Sequence, residues 1–221
     1  MQAVESEILI LYHTDLRGQW PEAAARTLAA RLPYARRLAV RTGGAAQRAS
    51  LAGIALALRA LARILGRRVS AGEIVFAQGH KPRLAPRRAC AAAAAPATSL
   101  AATGAEDTGL PDFSISHAGP WVGCAALAHG RVGFDVEPDN AARSADWVVR
   151  EALLKATGAG IRAARQVRTL EVRDGCVCWH GERWHAQRLE LFPGAAACVM
   201  SSVAVRELEA HAVTLAELFD P

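Results

Sequence analysis

The sequence predicts an α+β fold on three observations. Its strand-like segments mostly follow one another instead of alternating with helices, which argues against a doubly wound sheet. Two longer segments, residues 46–65 and 145–157, carry apolar residues at helical spacing. The chain has 221 residues, 52% of them hydrophobic, enough to bury a core in one large or two small domains.

The elements are read in order along the chain. Residues 8–12 are a short apolar run after acids and read as a buried strand. Residues 21–32 have helical spacing, with Pro21 suited to the first turn. Leu51, Ile54, Leu58, Leu61 and Leu65 mark the apolar face of the helix at 46–65, with arginines on its other face. Residues 74–77 read as a strand that runs into the Gly79-His80-Lys81-Pro82 turn. Residues 85–109 are low in complexity, with alanine at every position from 91 to 95, and define no apolar face. They read as a long surface loop or disordered insertion between two halves. Strands follow at 113–116, 121–128 and 132–137, the last two joined by a turn around Gly130. The helix at 145–157 ends at Gly158. Residues 167–173 and 176–179 flank Asp174-Gly175 and predict a hairpin. Residues 189–191 and 197–205 predict two more strands, and residues 207–219 a closing helix. No internal repeat is visible.

The charge is uneven. Of 26 basic residues only Lys81 and Lys155 are lysines, and between Glu22 and Glu106 the one acid is Glu73. That stretch attracts polyanions: nucleic acid, a phosphate-rich cofactor or an acidic protein. The plainer reading is a solvated arginine-rich helix face. Five cysteines, Cys90, Cys124, Cys176, Cys178 and Cys198, have no spacing that suggests a disulfide framework. The opening residues show no basic segment followed by an apolar core, and no apolar run is long enough to span a bilayer. A reduced, cytoplasmic compartment is expected.

Three features carry chemistry. Asp135-Val136-Glu137 closes an apolar strand, and residues two apart on a strand share a face about 7 Å apart. Two carboxylates side by side repel unless they meet water or a cation. Magnesium takes carboxylate and phosphate oxygens. Glu151 and Lys155 are four apart on a helix, which makes either a surface ion pair or part of a phosphoryl-transfer site. Ser116-His117 follows a strand. Neighbours on a strand point opposite ways, so the two are no catalytic dyad, and His117 is better suited to hydrogen-bonding a phosphate. Cys176, Cys178, His180 and His185 could form a soft-metal site, but zinc sites use wider spacing, and small buried cysteines are common.

Taken in order, these features resemble those of the Sfp-type 4'-phosphopantetheinyl transferases, in the holo-acyl-carrier-protein synthase superfamily. The resemblance covers about half the chain, from Arg48 to Ile161. It runs through Arg48-Ala-Ser-Leu-Ala-Gly, residues 76–82, and Phe113-Ser-Ile-Ser-His-Ala-Gly-Pro-Trp-Val. It continues through Gly133-Phe-Asp-Val-Glu and Trp147-Val-Val-Arg-Glu-Ala-Leu-Leu-Lys. Both lysines fall on family positions. Departures are Arg150 where the family has lysine, His80 where it has glycine, and a short 138–150 segment.

The resemblance implies two pseudo-symmetric lobes, 1–111 and 112–221, with the active site in the cleft between them. It implies magnesium, or manganese, on Asp135, Glu137 and Glu151. Glu151 is also the candidate base and Lys155 the contact to the pyrophosphate. Coenzyme A would meet Arg36, Arg48, Lys81, Pro82, Ser116, His117, Asp135 and Lys155. The implied reaction moves phosphopantetheine to a serine of an apo acyl or peptidyl carrier protein, in fatty acid, polyketide or nonribosomal peptide synthesis. A monomer is expected, with neither nucleic acid nor membrane as partner. Two alternatives stay open: a member of the family that binds coenzyme A or a carrier without efficient turnover, and a basic nucleic-acid-binding module.

Overall fold

The computed structural model describes residues 7–33, 44–77, 80–86, 109–139, 144–160 and 163–220. Most of the low-complexity stretch, Arg36 and Ile161 lie outside the described residues. The fold is mixed α and β, as the sequence predicts.

Two four-stranded sheets carry the fold. The first contains β1 (Glu7–Asp15), β4 (Asp112–Ala118), β5 (Trp121–Leu127) and β10 (Val205–Ala212), in the order β10-β1-β5-β4. The second contains β6 (Val132–Pro138), β7 (Cys176–Trp179), β8 (Glu182–Leu189) and β9 (Ala195–Ser201), in the order β6-β9-β8-β7. A two-stranded ribbon pairs β2 (Ile74–Val75) with β3 (Arg83–Leu84). The helices are α1 (Glu22–Arg31), α2 (Gly44–Leu65), α3 (Ser144–Thr157) and α4 (Leu215–Phe219).

Strand alternation sorts these elements into layers. Ile10, Phe113, Val122, Cys124 and Ala126 face α2, whose Ala52, Leu56, Ala60 and Leu61 are fully buried against them. The opposite face of the same sheet presents Leu9, Leu11, Ala125 and Leu127 to Val132, Phe134, Val136 and Val199 of the second sheet. The outer face of the second sheet, with Val177, Trp184, Cys198 and Met200, is covered by Val148, Ala152 and Leu153 of α3. The order is therefore helix, sheet, sheet, helix.

The edge strands of the two sheets meet side by side. Val132 N–H donates to Asp112 Oδ2 at 2.7 Å, and Val136 N–H to Ser116 Oγ at 3.4 Å. Side chains four apart on β4 thus satisfy backbone donors four apart on β6, which an exposed edge would leave unpaired.

Three sequence expectations change. Residues 205–212 form a strand parallel to β1 where residues 207–219 predict a helix, and only Leu215–Phe219 is helical. Glutamate, leucine and alanine favour a helix, but Glu207, Glu209 and His211 alternate with Leu208 and Ala210, and pairing with β1 decides the outcome. Thr214 then caps the short helix, accepting from Glu217 N–H. The predicted hairpin at Asp174-Gly175 is reduced to a single bridge, Arg173 with Cys176. The extended hairpin turns instead at His180-Gly181, with φ of 50° and 80°, and joins Cys176–Trp179 to Glu182–Leu189. That register buries Val177 and Trp184 under α3, while Val167 and Leu170 join the same core from outside any strand. Of the strand expected at 189–191 only Leu189 is in a strand, as the last residue of the eight-residue β8.

Candidate functional site

Gly133 sets the distance between β6 and α3. A Cβ there would stand 1.8 Å from the Ala152 carbonyl oxygen and 2.4 Å from Ala156 N. Only glycine lets the helix backbone lie directly on the strand. Residues 133, 135 and 137 share the face of β6 toward α3, so this approach brings Glu151 and Lys155 over Asp135 and Glu137.

The three carboxylates converge. Asp135, Glu137 and Glu151 each offer an oxygen, and these oxygens lie within 4.8 Å of one another. Asp135 is only 1% exposed. Its Oδ1 accepts from Lys155 Nζ at 2.5 Å and from Ser116 Oγ at 2.9 Å. Its Oδ2 is buried with no hydrogen-bond partner among the described residues. Lys155 Nζ also donates to Ser116 Oγ at 2.8 Å and lies 3.6 Å from Glu151 Oε1. Trp147 Nε1 donates to Glu151 Oε2 at 2.8 Å.

Burial pushes the Asp135 carboxyl up to about 6; Lys155 opposes the rise and Glu151 adds to it. Glu137 is raised for the same two reasons, burial first and then Glu151. One ammonium for three acids leaves the cluster short of positive charge. Three carboxylates with one buried, orphaned oxygen among them are a donor set suited to a hard divalent cation, so these residues could hold a metal ion. Among the described residues no other group of His, Cys, Asp and Glu is arranged to hold a metal. Cys176 Sγ lies 3.7 Å from His185 Nδ1, and Cys178 is a free, exposed thiol.

No protein-family model matches the chain, and no curated protein matches it.

The other expected site residues divide. Ser116 is buried and points to Asp135, whereas His117 is exposed and lies on the opposite face of β4, the face that meets α2. Desolvation, and then the Lys155 ammonium, lower the pKa of the His117 imidazole. Arg48 stands at the start of α2, 3.7 Å from Glu22 and with its guanidinium over the Trp20 ring. It lines a cavity of about 560 Å³ together with Arg17, Trp20, Arg26, Gly119 and Pro120. Gly119 and Pro120 directly follow the Ser116-His117 strand, so three arginines ring a cleft next to it. Lys81 is held elsewhere: its Nζ donates to Asp112 Oδ2 and, at 2.6 Å, to the Val132 carbonyl. Pro82 beside it is half-buried. Arg36 lies outside the described residues.

Sequence reasoning missed three participants. Trp147 reads as an apolar neighbour on the helix, although its position four before Glu151 puts the two on one face. Trp20 and Asp112 carry no sequence signal, because their partners are brought in by the fold from 28 and 31 residues away in the chain.

Proposed function

We propose that this chain transfers the 4'-phosphopantetheine arm of coenzyme A to a serine hydroxyl of an apo acyl or peptidyl carrier protein. One observation carries the reading. Three carboxylates from β6 and α3 converge within 4.8 Å around the buried, unpartnered Asp135 Oδ2, with Lys155 beside them. The resemblance of the ordered motifs supplies the reaction, and the arginine-ringed cavity beside Gly119-Pro120 supports an anionic, nucleotide-sized co-substrate. The resemblance implies two related lobes; because β1 pairs with β5 and β10, segments from before and after residue 111 share the first sheet.

In this reading Asp135, Glu137 and Glu151 would hold a magnesium ion, which offsets negative charge on the diphosphate. Lys155 contributes a second positive charge at the same place. Arg48 and His117 take the phosphates of the nucleotide end, with Arg17 and Arg26 beside them. The serine oxygen attacks the β-phosphorus and Glu151 accepts its proton. The bond to the bridging oxygen breaks, and adenosine 3',5'-bisphosphate leaves with the electron pair.

A second reading has one observation behind it. Lys81, expected on the nucleotide, is engaged by Asp112 and a backbone carbonyl, which takes away one expected contact to coenzyme A and favours a weakened member of the family over an efficient enzyme. The basic run gives less support to a nucleic-acid module, since Arg63 pairs with Glu209 and Arg67 with Glu73.

The test is direct. Incubate the chain with apo carrier proteins, coenzyme A and magnesium, and weigh the carriers. A gain of one phosphopantetheine, lost in Glu137→Ala and with chelator, is the expected outcome. No gain on carriers from all three pathways, with coenzyme A still bound, sends the reading to the non-turnover form.

A further inference from the structure

Two members of the acidic cluster, buried Asp135 and half-buried Glu151, are held in a way the cation reading does not require. Asp135 Oδ1 already has two donors, Ser116 Oγ and Lys155 Nζ. Glu151 Oε2 already has one, the Trp147 indole N–H. Both acceptor sites of Asp135 Oδ1 are thus taken, and one of Glu151 Oε2; Asp135 Oδ2 has no hydrogen-bond partner among the described residues, and Glu151 Oε1 lies 3.6 Å from Lys155 Nζ. Ser116 is itself fixed: it is 6% exposed and also accepts from Lys155 Nζ and Val136 N–H. Trp147 sits one helical turn before Glu151, so the indole reaches the carboxylate along the same face of α3.

The geometry points to Ser116 and Trp147 as positioning residues that restrict Asp135 and Glu151 to one oxygen each, and so set the site's preference for a magnesium-sized cation over calcium. The inference rests on the cation reading above and adds to it what chooses the ion. Magnesium asks for near-octahedral geometry with single carboxylate oxygens at about 2.0–2.1 Å. Calcium takes about 6–8 oxygens at longer distances and readily uses both oxygens of one carboxylate. To offer both oxygens, Asp135 must give up Ser116 or Lys155, and Glu151 must share Oε2 with the Trp147 indole. Ser116→Ala removes one such restraint with little change in packing volume, and Trp147→Phe removes the other together with the indole's second ring.

The test uses the full chain and manganese as a probe, read by its electron paramagnetic resonance signal. Magnesium and calcium are titrated against bound manganese in wild type, Ser116→Ala, Trp147→Phe and Ser114→Ala. Ser114 is buried on the same face of β4 as Ser116, so its variant reports a serine lost from that face without a contact to the cluster. Thermal melts check that each variant folds. We expect the ratio of magnesium to calcium competition to fall about tenfold in Ser116→Ala and in Trp147→Phe, the size typical when a group orienting a metal ligand is lost. Ser114→Ala should keep the wild-type ratio. An unchanged ratio in a folded Ser116→Ala or Trp147→Phe overturns the role given to that residue while leaving the cation site standing. A wild-type chain that takes up no manganese overturns the cation reading, and this inference with it.

Discussion

Asp135 is 1% exposed, lies 2.5 Å from one ammonium and shares its surroundings with two further acids. Burial outweighs Lys155, so its carboxyl is raised to about 6, against an ordinary aspartate near 3.9 in the unfolded chain. The sign follows from linkage. The folded state holds this proton more tightly, so the stability it contributes is complete below about pH 4 and is lost as pH rises through about 6. The cation-free chain should therefore show an Asp135-dependent fall in unfolding free energy from urea melts between pH 4.5 and 7, on the order of 2–3 kcal/mol. Saturating magnesium should flatten that fall. A midpoint that stays level without cation, or that falls equally in Asp135→Asn, would remove this account of the buried carboxyl.

At the scale of elements, the contact between β6 and α3 decides whether the cluster exists. Gly133→Ala places a methyl group where the Ala152 carbonyl oxygen lies, so strand and helix must part. We expect a loss of about 1–3 kcal/mol by chemical denaturation, the usual range for overpacking, together with weakened manganese binding. A variant that keeps wild-type cation affinity would show that the close approach does not matter to the site. Both elements were legible in the sequence. Gly133-Phe-Asp-Val-Glu alternates with period two, and residues 145–157 carry apolar positions at helical spacing with a glycine stop. So the three carboxylates could be named from residue spacing and resemblance. What could not be read was everything set by pairing between distant strands. Residues 207–212 look helical by composition and are held as a strand by β1, almost 200 residues earlier. Asp174-Gly175 and His180-Gly181 are both good turns, and the core chooses between them through Val177 and Trp184.

Across the whole molecule, the chain's two lysines both stand where β4 meets β6. Lys155 joins Ser116 of β4 to Asp135 of β6, and Lys81 joins Asp112 of β4 to the Val132 carbonyl of β6. Burial lowers the pKa of Lys81, with Asp112 opposing, as for an ammonium fixed inside the fold. Lys81→Met should therefore cost about 2–4 kcal/mol in denaturant melts, because Asp112 loses its counter-charge. Its effect on coenzyme A affinity should be smaller than that of Arg48→Ala. A Lys81→Met chain as stable as wild type but with weakened coenzyme A binding would return Lys81 to the nucleotide. Among the described residues no helix is long and apolar enough to cross a bilayer. The most direct test of the whole account is calorimetric titration of manganese into the full chain, with and without coenzyme A. One site that tightens when coenzyme A is present, and that disappears in both Asp135→Asn and Glu151→Gln, is the predicted result. Manganese uptake that ignores coenzyme A and survives both substitutions would contradict a cation held by these acids against a diphosphate.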